Sequence, residues 1–241
     1  MRNAPARISR LESKRMKCDA DAIGLIETAV PLFPLPNVVL FPRAVLPLHI
    51  FEERYKAMTA QALAGNRLIA MALLRPGWEA NYYAKPAIDP IVCVGQIVSS
   101  ERLEDGKYNF LLHGLTRAKI LSEEPSTPFR TAHLKPLNES PVMEIDLTNE
   151  RQRLIEILCR EPLASLPQTA QLKRIVSSPL TTGEVADLIA FHVLTNMNFK
   201  QSILADTDIP RRVSRVIDAL DAAVPMLELA HHGQTDSASS N

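Results

Sequence analysis

Apolar residues follow two different spacings along the chain, and the change falls near residue 140. From residue 30 to residue 137 they form short runs that proline and glycine interrupt, whereas after residue 142 they recur every three or four positions. Short runs bounded by turn residues are typical of strands, and the longer spacing is typical of amphipathic helices. The chain therefore predicts a β-rich part followed by a helical part, with the boundary between Pro136 and Pro141.

The first strands are predicted over residues 38–41 and 44–46, in a proline-rich stretch. Its prolines are Pro31, Pro34, Pro36, Pro42 and Pro47. A proline withholds its N–H from the strand ladder and holds φ near the extended value, so it is tolerated at strand starts, edges and corners. We therefore expect buried strands that break at fixed places and no helix in this stretch.

A helix follows, because the apolar residues change to a spacing of three or four. Phe51, Tyr55, Met58 and Ala62 share its predicted buried face, with charged residues between them. Gly65 is expected to end this helix in the left-handed conformation.

Further strands are predicted over residues 67–74, 91–101, 108–113 and 129–134. The first of these is a nearly continuous apolar run and is expected to be buried on both faces. A bend is expected at Gly95, a hairpin at Asp105-Gly106 and a relief of the strand at Gly114. About six strands with proline and glycine corners predict a small closed or half-open β-barrel, and with the helices an α+β protein.

The helical part predicts a bundle of four or five helices. Residues 154–158 carry one apolar seam, and Thr181 and Thr182 precede Glu184 as caps of the next helix. Residues 199–204 predict a short helix, and Asp208 is expected to cap the last one. The apolar stripe of that last helix is Val213, Val216, Ile217, Leu220 and Val224.

Several stretches of the chain resemble the N-terminal domain of the ATP-dependent protease Lon, which is its substrate-binding region. They are PLFPLPNVVLFPRAVLPLHIFEERY at residues 31–55, VGQIV at 94–98 and FLLHGLTRAKI at 110–120, with Asp105-Gly106 between the last two. The resemblance implies a PUA-like pseudo-barrel, and residues 182–220 are similar to the helical extension that follows the barrel in Lon. The structural positions of the motif are Pro36, Phe41, Pro42, Pro47, Gly95, Gly106 and Gly114.

Together the pattern and the resemblance predict four regions. Residues 1–28 form a flexible basic tail, 29–138 the PUA-like barrel, 142–229 the α-helical bundle and 230–241 a disordered tail.

Composition and charge narrow the class of protein. No apolar run approaches the roughly 18 residues of a membrane helix, and no signal-peptide core follows the basic start, so a cytoplasmic protein is expected. The three cysteines form no CxxC pair, which favours reduced thiols. Residues 1–17 hold six Lys or Arg against Glu12, a net +5, which leaves −5 for the remainder of a neutral chain. A mildly acidic body argues against nucleic acid as a partner.

The motifs of catalysis are absent from the sequence. The Gly106-Lys107 pair is followed by tyrosine, and Glu101 stands where a phosphate-binding loop needs its first glycine. Neither HExxH nor GxSxG occurs, and no histidine has a partner at metal-ligand spacing. The carboxylate pairs Glu52-Glu53 and Glu123-Glu124 are interpreted as solvated surface. We therefore expect no enzyme activity, no cofactor and no metal.

The resemblance instead implies a recognition module for unfolded or exposed polypeptide segments, with oligomeric state left open. Its candidate anchors are Trp78, Tyr82 and Tyr83, in a loop that could equally fold back over an open barrel end. Arg43 is a candidate polar contact or simply a turn residue. The alternative function is RNA binding, because PUA-like barrels recognise RNA in other families.

Overall fold

The computed structural model describes residues 26, 28–125, 128–161, 163–165 and 169–238, with side chains in the last helix described as far as Val224. The chain divides into two compact units, Met1–Leu137 and Asn138–Asn241. Apart from residues 26 and 28, the predicted N-terminal tail lies outside the described residues. Among the described residues no helix combines the length and the apolar character that crossing a membrane requires.

The first unit contains one mixed sheet and one α-helix. In chain order its elements are β1 (Val30–Leu35), β2 (Val45–Ile50), α1 (Glu53–Ala64), β3 (Leu68–Leu73), a 3-10 turn (Trp78–Asn81), β4 (Ile91–Arg102), β5 (Tyr108–Glu124) and β6 (Arg130–Pro136).

The sheet closes on itself through β5, whose 17 residues make it the longest strand. The strand order is β2-β5-β4-β3-β1-β6, and β5 also pairs with β6. Five strands therefore form a ring, and β2 adds to the outside of β5 as an edge strand. This confirms the predicted α+β fold with a pseudo-barrel and an early helix.

The ring is filled by small and branched apolar side chains. β3 is buried at every position, as its continuous apolar run predicted. The core cluster combines Leu32, Leu68, Ala70, Ala72, Val92, Val94, Ala118 and Ala132 from five strands.

One predicted strand is wrong, and one was missed. Residues 38–41 have no strand pairing, although Phe41 is fully buried, and the first strand lies earlier, at β1. β1 tolerates Pro31 and Pro34 inside a closed ring because its two neighbours cover different halves of it. Residue pairs with β6 span Val30 to Leu32, and those with β3 span Leu32 to Leu35, so each proline lies in only one ladder.

A glycine allows the proline-rich segment to cross β5. The Arg43 N–H donates to the Gly114 carbonyl at 2.8 Å, and the Gly114 N–H donates to the Ala44 carbonyl at 2.8 Å. A Cβ atom at residue 114 would lie 2.1 Å from the Phe41 carbonyl oxygen. Gly95, opposite Gly114 in the ladder, coincides with a register shift at the expected bend.

Two other predicted glycine positions differ in outcome. Gly106 has φ 79° in the hairpin between β4 and β5, as expected. Gly65 was expected to be left-handed, and this is wrong, because its φ is −111°. The left-handed residue after α1 is Arg67, with φ 63°, whose N–H reaches back to the Ala62 carbonyl at 2.9 Å.

The second unit is helical. Its α-helices are α2 (Thr148–Leu158), α3 (Thr169–Val176), α4 (Thr182–Val193), α5 (Met197–Leu204) and α6 (Ile209–Ala238), with 3-10 turns at Glu144–Leu147 and Leu163–Ser165. α6 therefore covers most of the stretch that the sequence analysis expects to be a tail.

Two of the predicted caps hold helices in this unit. The Thr181 side chain accepts from the Glu184 N–H at 3.3 Å, and the Glu184 carboxylate accepts from the Thr181 N–H at 2.8 Å. This is a complete capping box. Asp208 caps α6 by accepting from the Arg211 N–H at 2.9 Å.

The stability of this unit is expected to fall in acid because of Asp206, which is only 6% exposed. Hydrogen bonds from Arg211, together with those from the Asp208 N–H and Arg215, lower the pKa of Asp206 from 3.8 to about 2. A carboxyl with a lowered pKa stabilises the fold fully above its unfolded pKa and loses that contribution as pH falls towards its folded pKa. We expect wild type to lose about 2 kcal/mol between pH 4 and pH 2 through this group.

The measurement is urea unfolding at several pH values in that window, compared with Asp206→Asn. The variant should be less stable at neutral pH and should have a shallower acid dependence. Asp218→Asn, a change at an exposed position of α6, should keep the wild-type dependence. Equal acid dependence in wild type and Asp206→Asn would contradict the assignment.

Candidate functional site

A cavity of about 230 Å³ opens in the first unit. We call it the tyrosine cavity. It is lined by Leu32 and Pro34 of β1, Arg54 and Tyr55 of α1, Leu74, the loop residues Tyr82 to Pro86, and Pro128, Phe129 and Arg130 at the start of β6. Apolar side chains supply most of its wall, and three cations stand among them.

The loop that carries the tyrosines is fastened to the start of α1 by the Glu52–Arg54–Tyr82 network. The Tyr82 hydroxyl donates to Glu52 Oε1 at 2.6 Å, and Arg54 Nε donates to Glu52 Oε2 at 3.0 Å. Arg54 Nη1 donates to the Tyr82 carbonyl oxygen at 3.1 Å. Because one carboxylate holds both partners, the loop is fixed at its backbone and at a side chain.

The Arg54 guanidinium lies among three tyrosine rings. Its Cζ atom is 4.5 Å from the ring centroids of Tyr55 and Tyr82 and 5.8 Å from that of Tyr83. A cation over the face of an aromatic ring is attracted by the ring quadrupole. These contacts fix the rings as well as the cation, so this wall is organised before any ligand arrives.

Two tyrosine hydroxyls of this group stay protonated at neutral pH. Burial raises the pKa of Tyr55. Burial, and next its hydrogen bond to the Glu52 carboxylate, raises the pKa of Tyr82. Tyr82 is therefore a hydrogen-bond donor to Glu52 across the physiological pH range.

The opposite wall is held by a second arginine. Arg130 donates through Nε to Glu123 Oε2 at 2.8 Å and through Nη1 to the Pro86 carbonyl oxygen at 2.7 Å. The hydrogen bond from Arg130 lowers the pKa of Glu123. The Pro86 contact ties the far end of the tyrosine loop to β6.

The three predicted anchor residues lie close together. Tyr82 and Tyr83 line the cavity, and Tyr83 is 89% exposed. Trp78 stands behind them as a half-buried ring, edge-on to Tyr82 with centroids 5.5 Å apart. Tyr82 is bonded to Glu52 at the start of α1, and Tyr83 faces solvent.

Arg43 lies elsewhere in the unit. It occupies the turn between Phe41 and Ala44 with φ 67° and is bonded through its N–H to Gly114. Burial lowers the pKa of His113 on β5, and the charge of Arg43 lowers it further. Arg43 is not among the residues that line the tyrosine cavity.

Sequence reasoning missed Glu52, Arg54 and Arg130 as site residues. Glu52 was interpreted as solvated surface, and this is wrong, because its side chain is 24% exposed and bonds Tyr82 and Arg54. Glu53 does face solvent. The contact between Arg54 and Tyr82 spans 28 residues of sequence, so no local pattern could indicate it. No group of His, Cys, Asp or Glu within the described part of the chain could hold a metal ion.

A family model for the substrate-binding domain of the ATP-dependent protease La, or Lon, matches residues 29–222. The chain belongs to this family. The match includes the ring of strands, the tyrosine cavity, the helices through α5 and the first half of α6, up to residue 222. The domain is the one that its name assigns to substrate binding.

The relatives are longer proteins. The Lon protease of Dictyoglomus thermophilum is 28% identical over 216 residues, which are 88% of this chain and 26% of that protein. The Lon protease of Trichlorobacter lovleyi is 28% identical over 212 residues, 85% of this chain and 25% of that protein. The chain thus spans about a quarter of the length of these relatives.

Solved structures of Lon N-terminal domains have the same fold. The N-terminal domain of a Mycobacterium avium complex Lon protease matches 80% of this chain and 98% of that chain with a TM-score of 0.62 and 17% identity. A Lon N-terminal domain protein from Xanthomonas campestris matches 79% and 98% with a TM-score of 0.56 and 18% identity.

Proposed function

We propose that this protein is a non-enzymatic recognition module that binds exposed or unfolded segments of other polypeptides. The observation that carries the proposal is the tyrosine cavity, an apolar pocket whose wall is braced by the Glu52–Arg54–Tyr82 network and bears the exposed ring of Tyr83. The name of the matched family supports the choice of a polypeptide as ligand.

The physical basis of binding is burial of an apolar side chain. Leu32, Leu74 and Phe129 supply apolar wall, and a client side chain placed there would leave water. Tyr83 would close over it at low entropic cost, because a tyrosine has few rotatable bonds and a large apolar ring. A pocket already braced by hydrogen bonds avoids much of the ordering cost of association.

Two further parts of the proposal concern the cleavage of bound clients and the cellular location of the protein. The matched domain accounts for recognition, so we propose that any cleavage of a bound client is carried out by another protein or domain. We also propose a cytoplasmic location, where thiols stay reduced. Neither the buried Cys93 nor the exposed Cys159 is in a disulfide, which is compatible with this location.

Tyr83→Ala is expected to weaken binding of an unfolded polypeptide about tenfold, because the exposed ring is lost from the cavity rim. The measurement is fluorescence anisotropy of a dye-labelled unfolded polypeptide titrated with wild type and variant. Since Tyr83 is 89% exposed, the free energy of unfolding of the variant should differ little from that of wild type.

Phe51→Ala is the matched control. Phe51 is an exposed aromatic residue, at 61%, that does not line the tyrosine cavity. Its removal should leave the affinity unchanged. Equal weakening by both variants would mean a diffuse apolar surface, and no binding by wild type would remove the proposed function.

A further inference from the structure

The charges around the tyrosine cavity indicate which type of residue, in a bound polypeptide, would favourably lie next to the side chain that enters the cavity. Three cations line the cavity, Arg54, Lys85 and Arg130, and no carboxylate does. Any ligand that enters therefore meets positive groups at the wall and apolar groups behind them.

The two arginines are already neutralised. Arg54 lies 3.0 Å from Glu52, and Arg130 lies 2.5 Å from Glu123, in pairs whose arginine side chains are 19% and 11% exposed. Separating either arginine from its glutamate would cost free energy, because it would leave a largely buried charge without its partner. These arginines therefore stay with the protein's own glutamates. Their role is to hold the wall in place.

Lys85 is different, because it is exposed and forms none of the ion pairs found among the described residues. Its charge acts on Glu123 from a distance, where it adds to the lowering of the pKa of that carboxyl by Arg130. Lys85 contributes the net positive charge of the cavity. A lysine at the rim of a pocket can keep its stem along the apolar wall and its head in water, where it can meet a carboxylate.

We infer that the tyrosine cavity prefers polypeptide segments in which a large apolar side chain is followed by aspartate or glutamate, with the apolar side chain in the cavity and the carboxylate at Lys85. The inference rests on the proposed function and adds sequence selectivity to it. The volume of about 230 Å³ suits one large side chain, so the neighbouring residue lies at the rim where Lys85 stands.

Nucleic acid is the less suitable occupant of this cavity. Binding along a phosphate backbone needs several cations that are not already paired, because each neutralised phosphate releases counterions. Here two of the three cations are paired with glutamates, which leaves one. A single lysine suits a single carboxylate.

The test uses the whole chain and two dye-labelled nonapeptides of glycine and serine that carry one phenylalanine, followed by aspartate in one and by asparagine in the other. At low salt the aspartate peptide should bind about threefold to fivefold tighter, the upper part of the range of one solvent-exposed ion pair. In about 1 M salt the difference should vanish, because screening then acts over roughly 3 Å.

Lys85→Gln should abolish the preference, so that the aspartate and asparagine peptides bind with equal affinity. Lys119→Gln, a change at an exposed lysine of β5 that does not line the cavity, should keep the preference. Because Lys85 is exposed, its substitution should not alter folding, which circular dichroism checks.

The outcomes separate the inference from the function on which it rests. Equal affinity for both peptides, weakened in both by Tyr83→Ala, would overturn the acidic preference and keep polypeptide binding. If neither peptide bound, both the acidic preference and the proposed polypeptide binding would be overturned. Displacement of the aspartate peptide by a uridine nonamer, lost in Lys85→Gln, would reassign the cavity to nucleic acid and overturn the inference.

Discussion

Gly114→Ala is expected to lower the free energy of unfolding by about 3 kcal/mol or more, at the upper end of overpacking effects. The added Cβ atom would lie 2.1 Å from the Phe41 carbonyl oxygen and 3.3 Å from Cys93 Sγ. The nearest atom belongs to backbone, which cannot rotate away. Relief would require separating the proline-rich segment from β5 and breaking the two 2.8 Å hydrogen bonds that join them.

Urea unfolding followed by circular dichroism measures this loss. Gly77→Ala is the control, because Gly77 has φ 87° but nothing within 4 Å of an added Cβ. It should cost only the strain of a left-handed alanine, about 1 kcal/mol. If Gly114→Ala proved no worse than Gly77→Ala, the close approach of Phe41 would be wrong. If Gly114→Ala does not fold, its soluble yield against that of Gly77→Ala gives the same comparison.

Arg212→Met is expected to cost about 3 to 5 kcal/mol, because it leaves a buried carboxylate without its cation. The Arg212 side chain is 1% exposed, and its Nε lies 3.0 Å from Oδ1 of Asp187, which is 2% exposed. Its Nη2 lies 2.6 Å from Glu139 Oε1, and its Nη1 donates to the Asp206 carbonyl oxygen at 2.8 Å. One guanidinium thus joins α4, α6 and the start of the second unit.

The comparison variant is Arg153→Met, whose side chain is 40% exposed and pairs with Asp221 at 3.0 Å. A solvent-exposed pair contributes at most about 1 kcal/mol. The double variant Asp187→Asn, Arg212→Met should be more stable than Arg212→Met alone, because the uncompensated charge is gone. A loss in Arg212→Met no larger than that in Arg153→Met would contradict the buried network, as would a double variant that is less stable still.

Local patterns predicted much of the fold. The apolar run of β3, the hairpin at Gly106 and the capping box at Thr181 were predicted because each signal lies within a few residues of the feature that it specifies. β1 was missed because its prolines argue against an interior strand. That argument fails only when the two neighbouring strands cover different halves, which depends on how β3 and β6 are placed.

The candidate site was predicted less completely than the fold. Aromatic residues in a loop indicated Tyr82 and Tyr83, since such rings stand out in any sequence. The residues that brace them did not stand out, because Glu52 and Arg54 are ordinary charged residues at the start of an amphipathic helix, Glu52 immediately before it and Arg54 in its first turn. Arg43 stood out as a charge in an apolar stretch, but the structure has it at a left-handed turn beside Gly114.

By itself the sequence determined elements whose causes are local, namely the caps of α4 and α6, the glycine turn at Gly106 and the buried strand β3, and through its motifs the family. Tertiary structure alone decided which distant groups meet. The strands closed into a ring through β5, Arg54 met the tyrosine loop, and Arg212 met Asp187. The reason is that backbone preferences act over a few residues, whereas the pairing of charges and rings depends on burial that only the assembled fold provides.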